Sequence, residues 1–246
     1  MCRLELIDGT VITGRLIGAP QSTAGEVVFA TAMSGYPESI SDPSYSGQIL
    51  VFTYPMIGNY GVPNDAMRDG LCTYLESEKP QIKGIIVADY SEHANHWNNS
   101  RSLDAWLKEY HIPGLTDIDT RALTRKLRNT GSMQGRIIID ETVDFYNPDS
   151  ENQVTKVSCR EVISYGGGEK TVVVVDCGVK HNILRCLVKR GVQVVRVPWD
   201  FDFSTIQYDG LLLSNGPGDP SQCAVTVAHI REALNGHKPI FGICLG

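Results

Sequence analysis

The sequence predicts an α/β protein in which a mixed, β-rich N-terminal domain precedes an open, parallel-sheet α/β domain. Residues 1–140 contain short extended stretches separated by turn signals, together with two helices. Residues 141–170 are polar and contain three consecutive glycines, which indicates a linker. In residues 171–246, apolar strands alternate with helices, which is typical of a parallel sheet that binds ligands at the carboxyl ends of its strands.

The strands of the N-terminal domain are predicted where apolar residues flank turn signals. Asp8-Gly9 separates two such stretches, residues 3–7 and 11–17, and this dipeptide favours a β-hairpin. Four further strands are predicted at residues 26–30, 48–54, 85–88 and 136–139.

Helices are predicted in the same domain at residues 103–110 and 119–129. In the second helix, Ala122, Leu123 and Leu127 are expected on one apolar face, with three arginines facing solvent. The pattern therefore predicts that this helix packs against the sheet along that face.

The C-terminal domain begins with a run of β-branched residues at 171–175, which is typical of a strand buried on both faces. Gly191 is expected to end the first helix of this domain. The remaining elements are strands at 192–197, 210–214 and 239–243 and helices at 181–190 and 225–234.

Composition limits the functional classes. The formal net charge is -6, which gives no basic footprint for nucleic acid. No apolar run reaches the roughly 20 residues that cross a bilayer, and the first residues do not resemble a signal peptide. The seven cysteines form no Cys-x-x-Cys pair, so we expect reduced thiols, mostly in the core, in a cytoplasmic protein.

One cysteine stands in a distinctive context. Cys244 directly follows a predicted strand and is framed by Gly242 and Gly246. Small-x-nucleophile-x-Gly after a strand is the form of a nucleophile elbow, in which flanking side chains would collide with neighbouring backbone. The N–H of Leu245 would then point at a developing oxyanion. Taken alone, the motif fits equally a buried cysteine followed by a turn glycine.

A second glycine-rich loop, Ser214-Asn215-Gly216-Pro217-Gly218, follows the preceding strand. Gly216 and Gly218 allow backbone to approach a ligand closely, and the N–H of Gly218 would supply a second oxyanion donor. Taken alone, this loop fits an ordinary strand-to-helix turn.

Together these two loops resemble the class I (triad) glutamine amidotransferases. The segment Gly178-Val179-Lys180-His181-Asn182-Ile183-Leu184-Arg185 is similar to a signature of the carbamoyl-phosphate synthetase small subunit. The N-terminal half resembles the same family at several segments in the expected order: residues 25–29, 34–38, 42–46, 54–61 and 117–124.

The resemblance implies that Cys244 is the nucleophile of a glutaminase. It also implies that Ser44, Gly216, Gly218 and Leu245 line the glutamine site. Ammonia would pass to a large partner subunit that makes carbamoyl phosphate from bicarbonate and two ATP, for arginine and pyrimidine biosynthesis. ATP and Mg²⁺ would belong to that partner, and this chain would hold no metal or cofactor and would contact neither nucleic acid nor membrane.

The sequence departs from the family pattern after the nucleophile. The family's histidine base and glutamate follow the cysteine at a distance, and His181, His229 and His237 do not occupy that motif. The expectation is a chain that is truncated after its nucleophile, with an incomplete amidotransferase domain and no activity by itself. Two alternatives stay open: a non-catalytic partner of the large subunit, and an unrelated α/β cysteine hydrolase.

Overall fold

The computed structural model describes residues 2–246, which divide into two compact units. The first unit comprises the residues up to Ala66 and Glu78–Pro148. The second comprises Met67–Ser77 and Asp149–Gly246. The chain therefore enters the second unit once, returns to the first, and then completes the second.

Short elements make up both units. The strands are, in chain order, β1 (Arg3–Leu6), β2 (Val11–Thr13), β3 (Arg15–Gly18), β4 (Thr23–Ala30), β5 (Gln48–Phe52), β6 (Met56–Ile57), β7 (Met67–Arg68), β8 (Leu71–Cys72), β9 (Gly84–Ile86), β10 (Asp89–Tyr90), β11 (Pro113–Thr116), β12 (Met133–Ile138), β13 (Ile163–Tyr165), β14 (Thr171–Asp176), β15 (Gln193–Pro198), β16 (Gly210–Leu213) and β17 (Ile240–Gly242). The helices are α1 (Tyr36–Ser41), α2 (Leu103–Glu109), α3 (Thr120–Thr130), α4 (Val154–Val157), α5 (His181–Val188) and α6 (Ala224–Ala233). The predicted mixed α/β class is confirmed.

The first unit is built on an eight-stranded mixed sheet with the order β2-β1-β12-β4-β5-β9-β11-β3. Strands β4, β5, β9 and β11 run parallel, and the outer pairs are antiparallel. The predicted hairpin around Asp8-Gly9 is present as β1 and β2.

The predicted strand at residues 11–17 is two strands, because the chain leaves one edge of the sheet and joins the other at Gly14. The Gly14 N–H donates to the Cys2 carbonyl at 3.1 Å, beside β1. A Cβ at Gly14 would lie 2.6 Å from the Thr116 carbonyl oxygen, in β11. Because only Gly14 separates β2 from β3, the two edges of the sheet approach each other there.

Helix α3 packs on this sheet. The Asp119 carboxylate caps it by accepting the Ala122 N–H at 2.9 Å, and Leu123 and Leu127 lie in the core with the sheet residues. Ala122, expected on the apolar face, is exposed. Ala122 lies in the first turn beside the cap and faces solvent. The buried face of α3 is therefore narrower than predicted.

The second unit is a five-stranded sheet with the order β13-β15-β14-β16-β17. Strands β14 to β17 are parallel, and β13 is an antiparallel edge strand. Separate apolar clusters cover the two faces: Val173 and Val175 lie in one, and Val174 lies in the other with Leu184 of α5. The prediction of a strand buried on both faces is confirmed for β14.

The expected linker, residues 141–170, differs in the structure. It contains helix α4 and strand β13, and Tyr165 at the end of β13 packs in the core beside Leu184. The short hairpin β7–β8 also belongs to this unit and places Leu71 in the same core. Strand β13 and the β7–β8 hairpin are short and lie among polar residues, so apolar periodicity does not predict them. Across residues 2–246, no helix combines the length and apolar character needed to cross a bilayer.

Candidate functional site

Three loops of the second unit leave the sheet at the same edge. The parallel register pairs Val175 with Leu213, and Leu213 with Gly242, so β14, β16 and β17 end side by side. After β14 the chain adds β15 on one side and then β16 on the other, which makes the β14–β16 boundary a topological switch point. A crevice at the carboxyl ends of such strands is the usual ligand site of an open α/β sheet.

Cys244 lies in a strained turn at this edge. Its φ is 55°, in the left-handed region that non-glycine residues rarely adopt, and its side chain is exposed. The turn is fixed on both sides: the Ile243 N–H donates to the Leu213 carbonyl at 3.0 Å, and the Gly246 N–H donates to the Ser214 carbonyl at 3.2 Å. A strained, exposed turn directly after a strand is one feature of a nucleophile elbow.

The glycines that frame Cys244 have a steric cause. A Cβ at Gly242 would stand 2.5 Å from the carbonyl carbon of Gly246. A Cβ at Gly246 would stand 2.6 Å from both the carbonyl carbon and the Cβ of Leu213. Because the collisions are with backbone and a buried strand end, no small shift relieves them, and the turn excludes side chains at both positions.

The Gly216–Gly218 loop lies beside this turn. A Cβ at Gly216 would meet the carbonyl carbon of Cys177 at 2.8 Å and Cδ2 of Leu245 at 3.0 Å. Gly216 therefore fills a gap between the loop after β14 and the residue that follows Cys244. Gly218 has φ 78°, a conformation that suits glycine.

The two predicted oxyanion donors have no competing acceptor. Within residues 2–246, neither the Gly218 N–H nor the Leu245 N–H donates to another protein group. Backbone N–H groups that have no protein acceptor can stabilise an anionic oxygen.

A buried ion pair holds the base of the site. The Asp176 carboxylate, at 0% exposure, accepts hydrogen bonds from Arg196 Nε at 2.8 Å and Nη2 at 2.6 Å. It also accepts the backbone N–H groups of Gly178 at 2.9 Å, Val179 at 2.8 Å and Cys159 at 2.6 Å. One carboxylate therefore fixes the turn after β14 and ties it to the segment before β13.

Ser214 and Asn215 join the first two loops through their side chains. The Ser214 hydroxyl accepts the Cys177 N–H at 2.9 Å. The Asn215 side chain donates to the Gly178 carbonyl at 2.9 Å and accepts the Lys180 N–H at 3.2 Å. Both residues are at most 2% exposed, so these bonds are shielded from water.

Three of the seven cysteines are buried, fewer than the majority expected in the core, and Cys2 and Cys159 are half-buried. Cys72, Cys177 and Cys223 are buried, and Cys186 and Cys244 are exposed. Burial, with the neighbouring Cys223, raises the pKa of the Cys177 thiol to about 12, and burial raises the pKa of the Cys223 thiol. Such thiols stay protonated at neutral pH, whereas the nucleophilic form of cysteine is the thiolate.

Two of the upstream histidines, His181 and His229, contact other groups of the second unit. His181 is fully buried, and its Nδ1 accepts the Cys72 N–H at 3.0 Å. His229 Nδ1 lies 3.9 Å from the Asp202 carboxylate. In the described part of the chain, no three His, Cys, Asp or Glu side chains are grouped to hold a metal ion.

The structure places Gly216 against Leu245, the residue after Cys244, and Gly218 lies two residues further along the same loop, where its neighbour is Gln153. Ser44 lies in the first unit, in a 3₁₀ turn (Pro43–Tyr45) where its N–H donates to the Asp42 carboxylate at 3.0 Å. Its assignment to the glutamine site stays a prediction.

Sequence reasoning assigned no role to three residues that the structure shows to hold these loops: Asp176, Asn215 and Arg196. Asp176 and Asn215 are polar residues at the ends of apolar strands, where ligand-facing loops begin, and that position is a usable signal. Arg196 interrupts an otherwise apolar strand, which also signals a buried partner.

Family models match both parts of the chain. Residues 4–137 match the family model for the carbamoyl-phosphate synthase small chain, CPSase domain. Residues 173–246 match the family model for the class-I glutamine amidotransferases.

Curated relatives match over nearly the whole chain. They include multifunctional protein pyr1-3 of Dictyostelium discoideum (47% identity over 99% of the chain and 12% of the relative), and multifunctional protein CAD of Squalus acanthias (45%, 100% and 11%). A third is the human mitochondrial carbamoyl-phosphate synthase [ammonia] (45%, 99% and 17%). The chain thus spans 11% to 17% of the length of these relatives.

A solved structure with some likeness, an aminopeptidase from Aneurinibacillus sp. strain AM-1, has a TM-score of 0.33 at 10% identity, over 87% of this chain and 56% of the other. That likeness is too low to bear on the fold.

Asp176→Ala should weaken the second unit by about 3–5 kcal/mol, because it leaves the buried Arg196 guanidinium without its counter-charge. Native-state hydrogen exchange of the β14 and β16 amides measures this loss. The matched control is Glu151→Ala, which breaks an exposed ion pair with Lys156 and should change stability by less than about 1 kcal/mol. Equal effects from both variants would contradict the role given to Asp176.

Proposed function

Because the chain belongs to the carbamoyl-phosphate synthase small-chain family, we propose that it is the glutamine-hydrolysing part of such an enzyme. It releases ammonia from the side-chain amide of glutamine through Cys244. The ammonia passes to a large synthetase partner, which makes carbamoyl phosphate from bicarbonate and ATP for pyrimidine and arginine biosynthesis. The observation that carries this proposal is the exposed Cys244 at φ 55°, framed by two glycines that admit no side chain.

The proposed reaction is an acyl transfer through a thioester. The Cys244 sulfur attacks the amide carbon of glutamine, forming a C–S bond and an anionic oxygen. The N–H groups of Leu245 and Gly218 donate to that oxygen. The C–N bond then breaks, the nitrogen takes up a proton and leaves as ammonia, and a glutamyl thioester remains. Water cleaves the thioester to give glutamate and the free thiol.

A base is needed for both halves of this reaction. An ordinary cysteine thiol is only a few per cent ionised at neutral pH, and water attacks a thioester slowly unless a base activates it. In family members a histidine with a glutamate fills this role. His181 and His229 are engaged elsewhere in the second unit, and we propose that neither substitutes for that pair.

The chemistry that consumes ATP is assigned to the partner. We propose that the described residues bind the anionic tetrahedral intermediate, and that ATP and Mg²⁺ bind to the large synthetase part. Glutamine is the proposed small-molecule partner, and with a net charge of -6 a nucleic-acid or membrane-surface role is not proposed.

One alternative has a specific observation behind it. A relative named for ammonia matches the chain at 45% identity, which favours a small-chain region that supports a synthetase without hydrolysing glutamine. The two functions differ in whether Cys244 reacts. An unrelated α/β cysteine hydrolase is inconsistent with family membership, since the match covers the N-terminal half as well.

Cys244→Ser should abolish glutamine-dependent carbamoyl phosphate synthesis in the natural protein that contains this chain, and leave ammonia-dependent synthesis intact. Ammonia enters after the thiol chemistry, so only the first activity depends on the sulfur. Cys186→Ser, at the other exposed cysteine, is the control and should change neither. Glutaminase activity that survives Cys244→Ser would rule out the thioester route, and its absence in the wild type would favour the ammonia-using alternative.

Gly218→Val should lower glutaminase turnover about a hundredfold or more, because a branched residue at φ 78° shifts an oxyanion donor. Gly191→Val is the matched control: its φ is 73°, and nothing lies within 4 Å of a Cβ there, so it carries similar backbone strain away from the site. Steady-state kinetics distinguishes the two. Similar losses in both variants would show that strain, and not the donor, is responsible.

A polypeptide of these 246 residues alone should not turn over glutamine, because we propose that no group within it serves as the base for the thiol or for the hydrolytic water. Ammonia release by the purified polypeptide is the measurement, with Cys244→Ala as the blank. Release that disappears in the Cys244→Ala variant would show that an upstream group acts as the base.

A further inference from the structure

Residues 71–76, which precede the amidotransferase segment by about a hundred positions in sequence, hold the start of helix α5. The Glu76 carbonyl accepts the His181 N–H at 2.9 Å, and the Glu76 carboxylate accepts the Asn182 N–H at 2.9 Å. Both N–H groups belong to the first turn of α5, where backbone N–H groups have no acceptor within the helix. No local side chain caps α5, since its N-cap residue is Lys180, so a distant glutamate does so.

The same segment is anchored further along the helix. The Arg185 guanidinium donates to the carbonyl of Cys72 and, at 3.0 Å, to that of Leu75, and it lies 3.6 Å from the Glu76 carboxylate. The Glu76 side chain is 12% exposed, whereas its hydrogen bond with the Asn182 N–H lies at the surface. Asn182 and Arg185 are two residues of the family-like signature, and the structure shows what they contact.

The start of α5 is hydrogen-bonded to Asn215, the residue that precedes the Gly216–Gly218 loop. Lys180, the residue before the helix, donates its N–H to Oδ1 of Asn215 at 3.2 Å. Nδ2 of the same Asn215 side chain donates to the Gly178 carbonyl at 2.9 Å. Asn215 is followed by Gly216, which packs against the Cys177 carbonyl and the Leu245 side chain. Two hydrogen-bonded steps therefore separate Glu76 from the loop that carries the Gly218 N–H.

We propose that Glu76 is a positioning residue for glutamine hydrolysis. It fixes the start of α5, the start of α5 fixes Asn215, and Asn215 fixes the Gly216–Gly218 loop against Leu245. This inference rests on the proposed glutaminase function. It adds that the activity depends on a residue from outside the amidotransferase segment of the sequence.

The expected signature is a loss of turnover with little loss of binding. Displacing an oxyanion donor reduces the stabilisation of the transition state more than that of the bound substrate, so kcat falls while KM stays nearly constant. A shift of about 1 Å in a positioned group is enough for a loss of about a hundredfold. Glu76→Ala should therefore lower kcat about tenfold or more, with KM within about twofold of wild type.

The test compares three variants in the natural protein that contains this chain. Glu76→Ala removes the carboxylate. Glu76→Gln keeps an oxygen that accepts the Asn182 N–H and should restore kcat to within about threefold of wild type. Glu151→Ala removes one acidic charge from an exposed pair in the same unit and should leave kcat unchanged. Hydrogen exchange of residues 214–219 should be faster in Glu76→Ala alone.

Three results would overturn the proposal. They are a Glu76→Ala variant with wild-type kcat, equal losses in Glu76→Ala and Glu76→Gln, and a rise in KM at constant kcat. These kinetic results are interpretable only if the wild-type protein has glutaminase activity and Cys244→Ser abolishes it. If wild type has no such activity, the glutaminase proposal fails first, and hydrogen exchange of residues 214–219 still decides whether Glu76 holds the loop.

Discussion

The buried contact between Asp176 and Arg196 is the constraint on which the second unit depends. A carboxylate at 0% exposure is tolerable only when its charge is paired and its oxygens are hydrogen-bonded. Asp176 meets both conditions with one guanidinium and three backbone N–H groups. Since those N–H groups belong to two loops, satisfying the charge also fixes the loops. The turn after β14 is thus set by electrostatics, and Ser214 and Asn215 then align the next loop with it.

The strain at Cys244 follows from the same frame. A non-glycine residue at φ 55° is unfavourable by about 1–3 kcal/mol and persists only where its surroundings determine the backbone. The Leu213 and Ser214 carbonyls hold the residues on either side of it, and these carbonyls leave a strand that is buried on both faces. The end of a buried strand therefore maintains the strained turn at Cys244, in which the cysteine is exposed.

Much of this was predictable, and the failures have physical reasons. Strand β14 and the frame around Cys244 were predictable because β-branched runs and small-x-Cys-x-Gly patterns report local backbone requirements. The division at Gly14 was not, because an alternating pattern is the same whichever strand it pairs with. The role of Glu76 was not predictable for a related reason: a cap supplied by a distant segment produces no capping motif in the sequence next to the helix. Long-range hydrogen bonds, rather than hydrophobic pattern, account for what the sequence did not reveal.

The second unit is consequently not the segment that sequence similarity delimits. The amidotransferase match begins at residue 173, whereas the compact unit also contains Asp149 onward and Met67–Ser77. Those added residues are part of the working structure: Leu71 fills the core under α5, the Cys72 N–H occupies Nδ1 of His181, and Cys159 binds Asp176. A segment starting at residue 173 would expose the apolar face that Leu71 covers and would leave the first turn of α5 without its cap. In this family member, the two halves of the sequence therefore fold interdependently, because the unit that contains Cys244 takes part of its core from residues 67–77.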